Sequence, residues 1–328
     1  MTPYKSIFAT EIINFLELRK ASHSKSCCDH DKGLFENFDS YLFQLGIQNK
    51  ELSESVIVGW IAQLSGKSRT IAGKVNVVRL FAEYLISCGF KAYCPIIPKV
   101  HNDYVPYLFS DSEISAILMA ADSFITRVRK KKYANMNLQM SMILRIMIGC
   151  GTRIGETLAI QVRDVDFGEG ILTLRKTKRN KERIVPMHTS LTEILYKYCS
   201  ASGIICSPER YLFENAGENT PLPTTQARHC FEKILLLAHI FYPARQRHER
   251  GPCLHCLRHV FAFKSFAQAS RNGCRIDDAV PYLSIYLGHD NLEQTQKYLE
   301  FSAEMYPDAL MKFASFSEGL FPEVAYEE

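Results

Sequence analysis

The stretch Lys91-Ala-Tyr-Cys-Pro95-Ile-Ile-Pro98-Lys-Val-His-Asn-Asp-Tyr-Val-Pro106-Tyr-Leu108 decides the architecture. Its three prolines remove backbone donors and push the residue before each away from helical backbone, so the segment is extended. Within 328 residues, about twice a typical domain length, such a segment reads as the connection between two domains. The expected division is a first domain over 1–95, a linker over 96–106 and a second domain over 107–328, with a C-terminal tail from about residue 303.

Upstream of the linker the apolar residues recur at helical spacing. Ile12, Phe15, Leu16 and Leu18 form one run, Leu34, Phe38, Tyr41, Leu42 and Leu45 a second, and Val56, Trp60, Ile61 and Leu64 a third. A fourth carries Val75, Val78, Leu80, Phe81, Tyr84 and Leu85. Breaks at Gly46, Ser65-Gly66 and Gly89 separate about four helices, enough for one small bundle. Downstream, Ser110-Asp-Ser-Glu113 reads as a capping box opening a helix over Ile114–Asp122. Further on, Ile171-Leu-Thr-Leu174 and Glu182-Arg-Ile-Val-Pro186 flank a polar Lys- and Asn-rich turn, the pattern of a β-hairpin. The predicted fold class is mainly α with a small β-sheet or hairpin: an N-terminal helical bundle followed by a mixed α/β domain.

Hydrophobic residues make up 47% of the chain and charged residues 23%, which excludes a chain disordered throughout. Eleven cysteines without regular spacing, and an N-terminus lacking a long apolar run, fit reduced thiols in a cytoplasmic protein. The most apolar stretches, Met140–Cys150 and Ile234–Tyr242, are interrupted by Arg145 and His239 and fall short of the roughly 20 residues of a membrane span. No membrane association is expected.

The net charge of +4 hides an uneven distribution, because the last thirty residues carry seven acidic side chains and one basic one. Cations cluster at Arg127-Val-Arg-Lys-Lys-Lys132, at Arg175-Lys-Thr-Lys-Arg-Asn-Lys-Glu-Arg183 and at Arg245-Gln-Arg-His-Glu-Arg250. One such run is usually a solvated face, but three in one domain point to a nucleic-acid backbone. Arg175, Lys176, Arg179, Lys181, Arg183, Arg245 and Arg247 are the candidate DNA contacts.

Three further motifs carry chemistry. Gly149-Cys-Gly-Thr-Arg153-Ile-Gly-Glu156 sets an arginine after a glycine turn, at a helix start. His255 and Arg258, three apart at the head of an apolar-periodic segment, share one helical face and can bind one phosphate. Leu287-Gly-His289-Asp-Asn-Leu-Glu293 supports a helix beginning directly after His289, with Tyr298 about two turns into it. Each alone has a plain structural explanation, as a surface pair or a core aromatic.

Together, Arg153, Lys178 on the hairpin, His255, Arg258, His289 and Tyr298 resemble the tyrosine recombinase (phage integrase) family in residue type, order and spacing. Two departures stand out. Cys256 lies where the family often has an acidic residue, and Gly155 replaces a commoner small polar one. Both bear on packing around the site more than on its chemistry.

The resemblance implies a core-binding domain over 1–95, a catalytic domain over 107–328, and site-specific DNA recombination through a 3′-phosphotyrosyl intermediate. It assigns Tyr298 as nucleophile, Arg153 and Arg258 as the phosphate clamp, and Lys178 as general acid for the leaving 5′-oxygen. His255 becomes the acid/base partner of the tyrosine and His289 a hydrogen-bond donor to the phosphate. It further implies no metal ion, ATP or other cofactor, double-stranded DNA as partner, and a homotetramer on two DNA sites with a dimer on each. The apolar residues of 305–321 are expected either to dock on a neighbouring subunit or to pack on their own domain.

Without an additional arm-binding domain, the chain is expected to be the integrase or transposase of a mobile element. The extra segments Arg127–Asn137 and Pro243–Gly251 favour this over an Xer-like chromosome or plasmid dimer resolvase. A type IB topoisomerase shares the chemistry but would not exchange strands between two specific sites. A non-catalytic DNA-binding regulator would be expected to have lost part of the site, and all six reactive positions are kept. The rival zinc motif, Cys253-x2-Cys256 with Cys274-x2-Asp277 and with His255 and His259 as further candidate ligands, has Asp277 in place of a fourth cysteine and would withdraw His255 from the phosphate.

Overall fold

The four apolar-periodic runs fold as α1 (Ala9–Ser22), α2 (Lys25–Gln44), α3 (Glu54–Gln63) and α4 (Ser68–Ser87) in a computed structural model. It describes residues 4–23, 25–100, 106–124, 135–175, 182–215, 218–242, 251–296 and 298–299. The chain divides into two units, Met1–Tyr104 and Val105–Glu328.

Aromatic rings join the helices of the first unit. Phe15 meets Phe35 and Phe81 edge-on, with centroids 5.6 and 5.4 Å apart, and Phe38 meets Trp60 at 5.0 Å. Such pairs add about 0.5–1.5 kcal/mol each beyond the area they bury. Leu18, expected among the buried residues of α1, is 61% exposed. The buried stripe Phe8, Ile12, Phe15 continues instead to Arg19, whose guanidinium lies over Phe15 and pairs with the buried Asp31 at 2.5 Å. The sequence reading missed a short parallel pairing of β1 (Glu51–Leu52) with β2 (Lys91–Ala92). It ties the start of the proline-bearing segment to this unit.

In the second unit the capping box forms as expected. The Glu113 amide donates to Ser110 Oγ at 3.2 Å, and the Ser110 amide to Glu113 Oε2 at 2.8 Å, opening α5 (Asp111–Asp122). Next comes α6 (Met136–Cys150), which buries Met140, Ile143, Leu144, Ile146 and Met147 together in the largest core cluster. After α7 (Ile154–Leu158) the chain forms an antiparallel sheet of β3 (Val165–Asp166), β4 (Ile171–Leu174) and β5 (Arg183–Pro186), with Leu172 opposite Val185. The two hairpin arms lie where the alternation placed them. The third strand, β3, is too short to show a pattern.

The remaining helices are α8 (Thr189–Ala201), α9 (Thr224–Leu237), α10 (Leu254–Arg271), α11 (Ile276–Leu287) and α12 (Glu293–Gln296). The last corrects an expectation. The helix does not begin directly after His289: its first turn closes on Leu292 O, which accepts from the Thr295 and Gln296 amides at 2.8 and 2.9 Å, and Asn291 Oδ1 accepts from the Gln294 amide at 3.3 Å. Tyr298 consequently lies beyond α12, its amide donating to Thr295 O at 3.0 Å. Its ring joins a small core cluster with Ala262, Phe263, Phe266, Val280, Leu283 and Leu287. The tail from about 303 lies outside the described residues. Among the described residues no helix is long and apolar enough to cross a membrane.

Gly151 ends α6 in the left-handed region (φ 59°, ψ 23°), and a Cβ there would run into the Phe261 ring of α10. Gly151→Ala should therefore cost roughly 2–5 kcal/mol, from the left-handed penalty plus overpacking. A denaturant midpoint for Gly151→Ala equal to that of the parent would contradict this account.

Candidate active site

The left-handed turn at Gly151 leads directly to Arg153, which precedes α7, and Glu156 in the first turn of α7 reaches back to it. The Arg153 amide donates to Glu156 Oε2 at 2.9 Å and its Nη1 to Oε1 at 2.7 Å. Glu156 also receives Arg183 from β5 through two parallel bonds, Nη1 to Oε1 at 3.0 Å and Nη2 to Oε2 at 2.8 Å. Burial alone would raise the Glu156 carboxyl, but the Arg183 and Arg153 guanidiniums override it and hold its pKa down at about 2. The carboxylate is ionised throughout the neutral range.

Arg258 projects from the first turns of α10 and is only 1% exposed. Its Nη1 donates to Gly151 O at 2.7 Å, its Nη2 to Leu287 O at 2.7 Å, and Nη2 lies 3.1 Å from His289 Nε2. Burial, followed by the nearby Arg153 charge, lowers its pKa to about 10, which leaves it cationic at neutral pH. His289 follows Gly288, the left-handed end of α11. A guanidinium can only donate, so His289 Nε2 accepts from Arg258, and Nδ1 of the neutral ring donates to Thr295 Oγ1 at 2.6 Å. Burial, then Arg258, Arg153 and Arg183, push the pKa of His289 down to about 3. The expected donor role toward a phosphate thus meets a ring whose Nε2 is an acceptor.

Tyr298 is 5% exposed and enclosed by rings. His289 stacks on it with centroids 6.0 Å apart and planes 16° apart, while Phe263 at 5.8 Å and His259 at 5.3 Å meet it edge-on. His255 is exposed on α10, and its ring lies 4.8 Å from that of His259. Arg153, Arg258, His289 and Tyr298 are therefore brought to one place, with His255 joined to Tyr298 through His259.

The proposed DNA contacts fare unevenly. Lys178, the expected general acid, lies outside the described residues, as do Lys176, Arg179, Lys181, Arg245 and Arg247. Arg175 is half-exposed and pairs with the buried Asp164 at 2.6 Å. Arg183 does not face outward as expected. It turns inward, because Glu156 offers a buried carboxylate and Tyr286 O accepts its Nε at 3.0 Å. Among the described residues no group of three or more His, Cys, Asp or Glu side chains could hold a metal ion, and the Cys253 and Cys256 sulfurs sit 3.5 Å apart. Sequence reasoning gave no site role to Glu156 or Thr295, and considered His259 only as a candidate ligand of the rival zinc motif. For Glu156 a signal existed, its position three residues after Arg153, where an acidic residue can bond back to a helix start.

The phage integrase family model matches residues 109–305. The integrase/recombinase y4rB of Sinorhizobium fredii is 27% identical over 315 residues, covering 94% of this chain and 97% of its own length. Tyrosine recombinase XerC of Thermodesulfovibrio yellowstonii is 25% identical over 307 residues, covering 89% and 90%. The fold is similar to that of the Tn1549 transposon integrase solved with transposon right end DNA, at a TM-score of 0.65 and 13% identity over 93% of this chain and 99% of that one. With the family model matching more than half of its residues, the chain belongs to the phage integrase family, the tyrosine recombinases, enzymes that break and rejoin DNA at specific sites.

Proposed function

We propose that Tyr298 is the nucleophile of a mobile-element recombinase that acts in the cytoplasm as a tetramer on two double-stranded DNA sites. The observation that carries this reading is the meeting of Arg258, His289 and Tyr298, in which the imidazole contacts the guanidinium at 3.1 Å and stacks on the phenol. A phosphodiester is an anion that resists attack by another anion, so the site has to neutralise it first. Arg153 and Arg258 take the two nonbridging oxygens. Of the five N–H donors of Arg258, three have partners among the described residues, which leaves two for a phosphate. His289 can donate to the phosphate once a phosphate oxygen replaces it as the acceptor of Arg258 and the ring proton moves from Nδ1 to Nε2, the Thr295 hydroxyl then donating to Nδ1.

The Tyr298 oxygen attacks phosphorus as its proton passes to His255, forming a 3′-phosphotyrosyl bond. The bond to the 5′-oxygen breaks as Lys178 protonates that oxygen. Attack by the freed 5′-hydroxyl of a partner strand reverses these steps, so the energy of the broken bond is kept in the protein–DNA link and no ATP is consumed. Arg175, Lys176, Arg179, Lys181, Arg245 and Arg247 would follow the DNA backbone around the cleaved phosphate. A second reading, an Xer-like resolvase, is favoured by the relative named XerC, of which the alignment covers 90%.

Nicked duplexes of random sequence, on which the cleaved fragment diffuses away, test the reading. The wild-type chain should form covalent adducts stable to denaturation, and Tyr298→Phe should form none while still shifting DNA in a gel. Adducts persisting in Tyr298→Phe would mean that another residue is the nucleophile. The sequence of the trapped duplexes, mapped to mobile-element ends or to a chromosomal resolution site, separates the two biological readings.

Lys178→Ala should slow adduct formation by about 10²–10⁴-fold, the range of general-acid catalysis. A substrate with a 5′-bridging sulfur, which leaves without protonation, should restore the rate. If sulfur substitution brings no recovery, Lys178 is not the proton donor.

A further inference from the structure

Among the described residues, His259 is the imidazole beside Tyr298 to which the chemistry above gives no task. It stands one helical turn after His255 on α10, its ring nearly perpendicular to that of His255 with centroids 4.8 Å apart. On its other side is Tyr298, 5.3 Å away. The side chain is 7% exposed, and among the described residues neither Nδ1 nor Nε2 has a hydrogen-bond partner. A buried donor or acceptor left unpaired costs about 1–3 kcal/mol, so a residue serving packing alone would be apolar here. Phe263 is such a residue, and it packs edge-on against the same tyrosine. The groups facing His259 are His255 and Arg258 from its own helix, His289 from the end of α11, and Tyr298. Burial first, then His255, Arg258 and His289, lower its pKa to about 3, so the ring is neutral at physiological pH, with one donor and one acceptor.

We propose that His259 is a positioning residue for DNA cleavage: with DNA bound, one ring nitrogen accepts from His255 and the other donates to the Tyr298 oxygen, so that the phenol's own proton stays free and aligned to pass to His255. This rests on Tyr298 being the nucleophile. His259 would not itself touch the phosphate. It acts by fixing the two groups that do the chemistry, and a misplacement of about 1 Å at such a step costs on the order of 100-fold.

The test uses the full chain and nicked duplexes selected by the wild-type protein. His259→Phe keeps a ring of similar size and removes both nitrogens, whereas His259→Gln keeps a donor and an acceptor. His259→Phe should form adducts on the order of 100-fold more slowly, with unchanged DNA affinity and a thermal midpoint no lower than that of wild type, because a buried unpaired polar group is removed. His259→Gln should stay within about tenfold of wild type. Wild-type speed in His259→Phe overturns the proposal, and so does a His259→Gln no faster than His259→Phe. Should His259→Phe fail to fold, ring-nitrogen resonances of ¹⁵N-histidine-labelled wild type decide: the duplex should move those of His259 to hydrogen-bonded positions, and unmoved resonances overturn the proposal. Adducts in Tyr298→Phe indict the nucleophile assignment, whereas Tyr298-dependent adducts formed at a rate indifferent to His259 indict this inference alone.

Discussion

Glu156 sets one negative charge among Arg153, Arg183 and Arg258, and the arrangement of the site depends on that balance. Three guanidiniums drawn together without a carboxylate would repel one another in surroundings too dry for water to screen them. Glu156 neutralises part of that charge and fixes two of the three by direct bonds. It also connects segments far apart in sequence, the turn into α7 and the last strand of the sheet. Removing one member of such a buried pairing typically costs about 3–5 kcal/mol, because the remaining charge is stranded. What is left over is positive, which is what a phosphate requires.

The second support comes from helix ends. The C-termini of α6 and α11 leave carbonyls without intrahelical partners, and those carbonyls carry the negative end of each helix dipole. Gly151 O and Leu287 O accept from Arg258, Tyr286 O accepts from Arg183, and Gly288 O accepts from Arg153 at 3.3 Å. Both helices end in a left-handed glycine, Gly151 and Gly288. The glycines thus stop each helix where its terminal carbonyls can meet a guanidinium, and the same turns send the chain on to Arg153 and to His289. Capping and site building are one structural event here.

Much of this was legible in the sequence, for identifiable reasons. Periodicity located the helices around Phe15, Phe38, Trp60 and Phe81, and alternation located β4 and β5, because both signals are local. The resemblance singled out Arg153, Arg258, His289 and Tyr298, which the fold brings together. Partner choice was not legible. Arg183 sits in a run of cations that reads as a solvent-facing stripe, and only the fold reveals that Glu156, 27 residues earlier, draws it inward. The start of α12 was not legible either: its first turn closes on Leu292 O, later than the sequence pattern suggests, and Tyr298 lies beyond the helix. His259 drew notice only as a candidate zinc ligand, since nothing local announces that its ring stands beside Tyr298.

The residues of the site come from positions 153, 156, 183, 255, 258, 259, 289 and 298, so no short contiguous fragment of the second unit contains all of them. Arg258 obtains its orientation from a carbonyl 107 residues away in sequence and another 29 residues away. During synthesis, Gly151, Arg153 and Glu156 emerge long before the Arg258 they would orient, and Tyr298, the residue that would attack DNA, follows all of them. A nascent or partly folded chain therefore carries a phenol of ordinary chemistry and scattered charges, with no means of cutting DNA. Completion of the fold acts as the safety catch on a DNA-cleaving chemistry.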